Sequence, residues 1–409
     1  DGDPAATGVV ENLKIGPGQT GTVSVSLPAI EAPGKDVFLN LSYVLKEKDG
    51  LLPAGHEVAY DQLTLQKSSS YAFEPGSASV AGSKVSWSEV AGNHVFNGVF
   101  SFAGVGSDRV AEWKASFDSK TGFLSSYQVN GKEMLSEPLA PEFSRAPVEN
   151  DMGARMYSDK VMGMWRYLGL TLDKLAVNGS EDCYLLEASY RPIKDTAIVK
   201  LTYEVRPDGS IEGHEIMDDA GGLDKLPDLF RFGMKFTMPG KYSTIDFYGK
   251  GPWENYCDRN SSALVGRYIQ SVNDQYHYGY VRTQESGTHT GLKYLKILDS
   301  NGDGLEISTG SEFSASAIPF PINMLDCMEN GTPVRENKTN SQVGEPRHSL
   351  DLKGYAHEND RENGWTYVNF DMMQMGVGGI NTWGTWPLEQ YRVHAAPRDF
   401  RYIIRPVMN

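Results

Sequence analysis

The thirteen residues YGKGPWENYCDRN, 248 to 260, gather Trp253, Glu254, Asp258 and Arg259 around a Gly-Pro turn. A carboxylate beside a guanidinium can hold a charge or a proton, and a flat indole beside both can receive the apolar C–H face of a sugar while polar neighbours meet its hydroxyls. A second polar stretch, YVRTQESGTHTG at 280 to 291, supplies Gln284, Glu285 and His289. A third, GVGGINTWGTWPLEQYRV at 376 to 393, carries Trp383 and Trp386. Trp383 follows a glycine-rich turn and precedes Pro387, which places it on a loop. Arg145, Arg231, Trp253, Glu254, Gln284, Glu285, His289, Trp383 and Trp386 form the candidate lining of a carbohydrate site. The competing reading is internal: aromatics as core residues, and mixed-sign charges as an ion-pair network that pins long loops.

Other chemistries find little support. There is no GxSxG, HExxH, phosphate-binding loop, or GxGxxG opening a helix. The segment DSNGDGLEI, 299 to 307, opens like a calcium loop, but its twelfth position is Gly310 and its flanks read as strands. It is read as an acidic hairpin turn, with no metal site assigned. Cys183, Cys257 and Cys327 lie far apart, match no metal-ligand spacing, and are read as free thiols. The formal net charge of −15 and the scattered basic residues exclude a nucleic-acid ligand. No run approaches the roughly 18 to 20 apolar residues of a membrane helix, so no membrane partner is expected. The opening DGDPAATGVV has neither part of an export signal; the chain reads as soluble, and its compartment, cytoplasm or periplasm, stays open.

The elements that must position these residues are strands. Val23, Val25 and Leu27 alternate with small polar residues in TGTVSVSL, and Val37 through Leu45 alternate in DVFLNLSYVL. Thr121-Gly122, Asn130-Gly131, Pro207-Asp208-Gly209 and Asp303-Gly304 separate the strands with residues that tolerate positive φ. The segment DKVMGMWRYLGL, 159 to 170, is the clearest helix candidate. At 409 residues the chain is too long for one core. Its division is read as 1–67, a partial immunoglobulin-like sandwich; 68–90, a Ser-, Ala- and Gly-rich linker; and 91–409, a large antiparallel sandwich. The fold class is all-β, because strand signals repeat without the strand-helix alternation of a βα barrel.

The motifs FSRAPVENDMG (143 to 153), FDSKTGFLSSYQVNGKEML (117 to 135), YGKGPWENYCDR (248 to 259), YVRTQESG (280 to 287) and MGVGGINTW (375 to 383) occur in this order. Together they resemble the C-terminal part of the large multidomain β-galactosidases of glycoside hydrolase family two. The early region, with AGHEVAYDQLTL at 54 to 65, resembles the end of that family's second immunoglobulin-like domain. The resemblance implies a C-terminal fragment whose last domain is a supersandwich related in fold to the galactose mutarotases. It implies a parent enzyme that hydrolyses β-galactosides with retention, using two carboxyl groups about 5 to 5.5 Å apart. Both belong to a preceding βα barrel, so Glu254 and Glu285 inherit no catalytic role and the fragment is expected to be inactive. By the same resemblance Trp383 stacks on substrate in the barrel's mouth. Here the sequence departs from the family by adding Trp386, which leaves two indoles for one place. No cofactor is expected in this chain; a divalent cation of the parent would lie in the barrel. The expected partners are a β-galactoside or another carbohydrate, the barrel of the parent chain, and further copies in a homo-oligomer. A stand-alone carbohydrate-binding module and an aldose epimerase using His289 with Glu285 are the alternatives.

Overall fold

The structure is a computed structural model that describes all residues except 1, 3, 12, 69–81, 103–108, 157–160, 167, 326, 327, 330, 331, 334–348, 351, 354–363, 382 and 383. The chain divides into two compact units, Asp1–Tyr71 and Ala72–Asn409.

In the first unit, strands Val37–Val44 and Glu57–Gln66 pair antiparallel, with Leu39 opposite Leu63 and Leu41 opposite Asp61. The alternation in DVFLNLSYVL therefore does form a strand. That in TGTVSVSL does not: residues 20–27 have no strand assignment, and Val23, Val25 and Leu27 are exposed. Alternation fixes which side chains share a face, but a strand also needs a neighbour for its backbone groups.

The second unit is one long antiparallel sheet that curls around a shared core. The all-β expectation holds. Strand Ala197–Val205 shows why: every second residue is buried, and the strand pairs along its whole length with Ile211–Asp219. Asn130 and Gly131, both at positive φ, turn the chain between Leu124–Val129 and Lys132–Glu133, as a two-residue hairpin requires. Inside the curl, aromatic rings from distant strands meet, including Phe117 with Tyr203 and Phe370 with Tyr402, each pair 4.9 Å apart at the ring centres.

The helix expected at 159–170 is replaced, among its described residues, by a single 3₁₀ turn, Gly163–Trp165. Gly163 and Gly169 weaken a helix by about 1 kcal/mol each. Trp165 instead is buried against Phe143, with its indole N–H donating to the Pro227 carbonyl at 3.2 Å. Of the stretch read as a linker, Ser86–Val90 is a strand paired with Asn93–Phe102.

Two features of the sheet matter for the site. Strand Arg231–Pro239 pairs on one side with Trp365–Gln374 and on the other with Glu137–Glu142, so that Gly233 faces both Asp371 and Glu142. The segments after Glu142, Gly251 and Gln374 and the one before His289 are tied to one another, and to Arg231 at the start of its strand, by side-chain bonds. The second feature is Arg398–Val407, which lies between Ile211–Asp219 and Gly304–Ile318 and pairs with both.

Candidate functional site

Where these segments meet, the sequence 375–379, Met-Gly-Val-Gly-Gly, is held by side chains from two other loops. Arg145 donates to the carbonyls of Met375 and Gly376, the latter at 3.0 Å. Asn150 Nδ2 donates to Val377 O at 2.9 Å. The Asp258 carboxylate accepts from the backbone N–H groups of Val377 (3.0 Å) and Gly378 (2.8 Å). Gly376 is required, because a Cβ there would lie 2.5 Å from Asp258 Oδ2. Arg145 is fixed in turn by Asp151, whose two oxygens take its Nε and Nη2 at 3.0 to 3.2 Å. Both side chains are wholly buried. A forked pair of this kind fixes direction as well as distance.

Glu254 closes a second loop contact. One oxygen accepts from Arg259 Nη2 (2.6 Å) and the Tyr280 hydroxyl, the other from Ser286 Oγ (2.7 Å) and Gly287 N (2.8 Å). Burial pushes its pKa up. The four donors outweigh that, and the group sits below the ordinary carboxylate range. With four donors on its oxygens, it is bound as an anion and is not free to carry a proton.

A third cluster lies between these two. Arg231 Nη2 is 3.4 Å from both Glu285 oxygens, and Thr288 Oγ1 and Gln374 Nε2 add bonds of 3.1 and 3.2 Å to Oε1. On its other side Arg231 Nη1 is 3.7 Å from Asp371 Oδ2. Burial pushes the Asp371 carboxyl up to about 7, against the pull of Arg231, with Glu285 and Glu142 adding repulsion.

His289 does not contact Glu285. Its Nε2 lies 2.8 Å from Gln275 Oε1 and its Nδ1 3.3 Å from Lys250 O, and its ring packs on Phe247 at 4.5 Å. Burial lowers its pKa to about 4. That is the setting of a neutral core histidine, and the acid-base pairing with Glu285 is corrected accordingly. The depressed pKa has a sign: between pH 6.5 and 4 the unfolded chain binds a proton that the folded chain refuses. Stability from this residue is fully present above about pH 6.5 and falls toward pH 4, by about 3 kcal/mol in all. Asp371 slopes the opposite way between about pH 4 and 7. The test is therefore a difference: urea unfolding of the His289→Gln variant should show a smaller loss of stability on acidification than the unaltered chain.

The candidate residues are thus distributed unevenly. Arg145, Arg231, Glu254 and Glu285 converge, with their polar groups turned on protein partners. Gln284 joins them by accepting from Glu149 N at 3.3 Å. Trp253 is half exposed at the rim. Trp386 is partly buried, with the Arg392 guanidinium 4.7 Å above its ring. Trp383 lies outside the described residues. Asp151, Asn150 and Asp258, which the loop depends on, were not singled out as site residues, although each falls inside a motif that carried the family resemblance. Gln374 and Asp371 had no such signal. The 299–303 turn holds itself, with Asp299 Oδ1 accepting from the backbone N–H of Asn301 (2.8 Å) and Asp303 (3.1 Å). Among the described residues no three His, Cys, Asp or Glu are grouped to hold a metal. Among the described residues no helix is long and apolar enough to cross a membrane.

Fold and site together define a large curled antiparallel β protein in which a polar network between loops braces a glycine-rich segment. Residues 109–404 match the family described as the β-galactosidase small chain, and residues 1–66 match β-galactosidase domain 4. The chain belongs to the β-galactosidase family. Among its relatives, the β-galactosidase of Halalkalibacterium halodurans is 30% identical over 306 residues, covering 71% of this chain and 26% of that protein. The β-galactosidase of Streptococcus thermophilus is 26% identical over 404 residues, covering 97% and 34%. The chain thus spans about a third or less of these relatives. Among solved structures, a galactose mutarotase related enzyme from Lactobacillus acidophilus aligns with a TM-score of 0.38 at 8% identity, covering 72% of this chain and 94% of that one.

Proposed function

We propose that this chain is the non-catalytic C-terminal region of a retaining β-galactosidase, and that it completes the sugar pocket with the loop that runs from Met375 to Trp386. The observation that carries the reading is the clasp on residues 375–378 by Arg145, Asn150 and Asp258. A loop held this firmly at its root can present an aromatic side chain to a ligand at small entropic cost. Retention of configuration needs two available carboxyl groups. Glu254 and Glu285 are both engaged by protein donors, which supports catalysis residing on a barrel elsewhere in the parent chain. In this reading residues 91–409, with the strand Ser86–Val90 paired to them, form the supersandwich, the residues from 68 up to that strand lead into it, and 1–67 belong to an immunoglobulin-like sandwich whose partner sheet covers the exposed Leu63 and Leu65.

Two measurements test it. The purified chain should show no hydrolysis of a chromogenic β-galactoside, and turnover would overturn the assignment. In the enzyme that includes the barrel, Trp383→Ala should raise KM about tenfold or more with a smaller effect on kcat, the pattern of lost ground-state stacking. An unchanged KM would remove Trp383 from the pocket and direct attention to Trp386.

A further inference from the structure

The core of the second unit contains a polar group that the proposed function does not use. Strand Ile211–Asp219 lies between Ala197–Val205 and Arg398–Val407, in a register that sets Tyr203 and Tyr402 on either side of Gly213. Gly213 is what allows this: a Cβ there would fall 2.3 Å from the Tyr402 ring and 2.5 Å from its hydroxyl oxygen. Glu215, two residues along and on the same face, is fully buried between Leu201 and Phe400.

The Tyr203 and Tyr402 hydroxyls lie near one another and near Glu215. Neither Glu215 oxygen reaches a hydrogen-bond partner in the protein among the described residues, and the two hydroxyls reach nothing but each other. Each buried atom costs about 1–3 kcal/mol if it stays unpaired. Two of them on one carboxyl group would consume an appreciable part of a domain's net stability. A polar recess with several partners in reach is where proteins hold water.

We propose that Glu215, Tyr203 and Tyr402 form a closed water-binding pocket over Gly213, in which trapped water bridges the carboxyl group to the two hydroxyls. A metal cation fits poorly, because no third ligating group joins Glu215 and the facing Asp371 is already paired with Arg231. The charged groups that act on the pocket are Asp371 and Glu142, the first of them paired with Arg231. Burial first, and then repulsion from Asp371 and Glu142, pushes the Glu215 carboxyl well above its ordinary range. A neutral carboxyl both donates and accepts, which suits a short water chain.

The test is water-oxygen magnetic relaxation dispersion, which counts long-lived internal waters, on the whole chain and on a Tyr203→Phe/Tyr402→Phe variant whose fold is checked by circular dichroism. The expected result is the loss of at least one long-lived water per molecule in the variant. An unchanged count with an intact fold overturns the proposal. Should the double variant not fold, Tyr203→Phe alone gives the same comparison with one hydroxyl removed. A high-resolution crystal structure gives an independent reading: solvent density touching Glu215 supports the pocket, and a direct protein partner for both carboxyl oxygens overturns it.

Discussion

Replacing Arg145 with methionine is expected to cost about 3–5 kcal/mol of unfolding free energy, because it leaves the Asp151 carboxylate buried without its counter-charge. Methionine fills most of the volume, so the loss is electrostatic and not a cavity effect. Asp151 retains one neutral donor in the present geometry, Val148 N at 3.0 Å, which cannot replace a forked guanidinium. The Met375 and Gly376 carbonyls lose their donors at the same time. Urea denaturation measures the change. An Arg145→Met/Asp151→Leu double variant should recover a substantial part of it, since removing both charges also removes the desolvation penalty. A single variant that unfolds within about 1 kcal/mol of the unaltered chain would show that the pair does not hold the loops.

A comparable effect, by a steric route, is expected at Gly304. This residue opens the long strand Gly304–Ile318 opposite Leu298, and a Cβ there would lie 1.9 Å from the Ile297 carbonyl oxygen. That atom belongs to a paired strand and cannot swing away as a flexible side chain could. Gly304→Ala should cost at least about 3 kcal/mol, above the usual range for overpacking, or yield insoluble protein. Gly310, on the same strand, has open space where its Cβ would stand. Gly310→Ala should stay within about 0.5 kcal/mol of the unaltered chain, and the contrast separates a local clash from a general intolerance of side chains in this strand.

How much of this was legible in the sequence follows from what local pattern can carry. Alternation in 37–44 and the Asn130-Gly131 pair report faces and turns, both set by near neighbours, and both were read correctly. TGTVSVSL shows the limit, since the same alternation forms no strand at 20–27. In 159–170 the apolar spacing suggested a helix, but the anchorage of Trp165 on Phe143 and Pro227 depends on residues outside that segment. The site divides in the same way. Arg145, Arg231, Glu254 and Glu285 were visible as mixed-sign residues among aromatics, and that composition is the same whether they face a sugar or each other. The structure turns their charges on one another. Asp371, Glu215 and Gly213 gave no signal, because their significance lies in pairings across as many as 189 positions, such as that of Gly213 with Tyr402.

The position of Arg398–Val407 between Ile211–Asp219 and Gly304–Ile318 also bears on how the protein is made. Among the described strands of the sheet, the one latest in the sequence is an interior one. Until it arrives, two earlier strands present unpaired edges, and the core that includes Phe400 and Tyr402 cannot close. The second unit is therefore expected to complete its sheet only after synthesis has passed residue 407, and to do so slowly, as sheets dominated by distant pairings do.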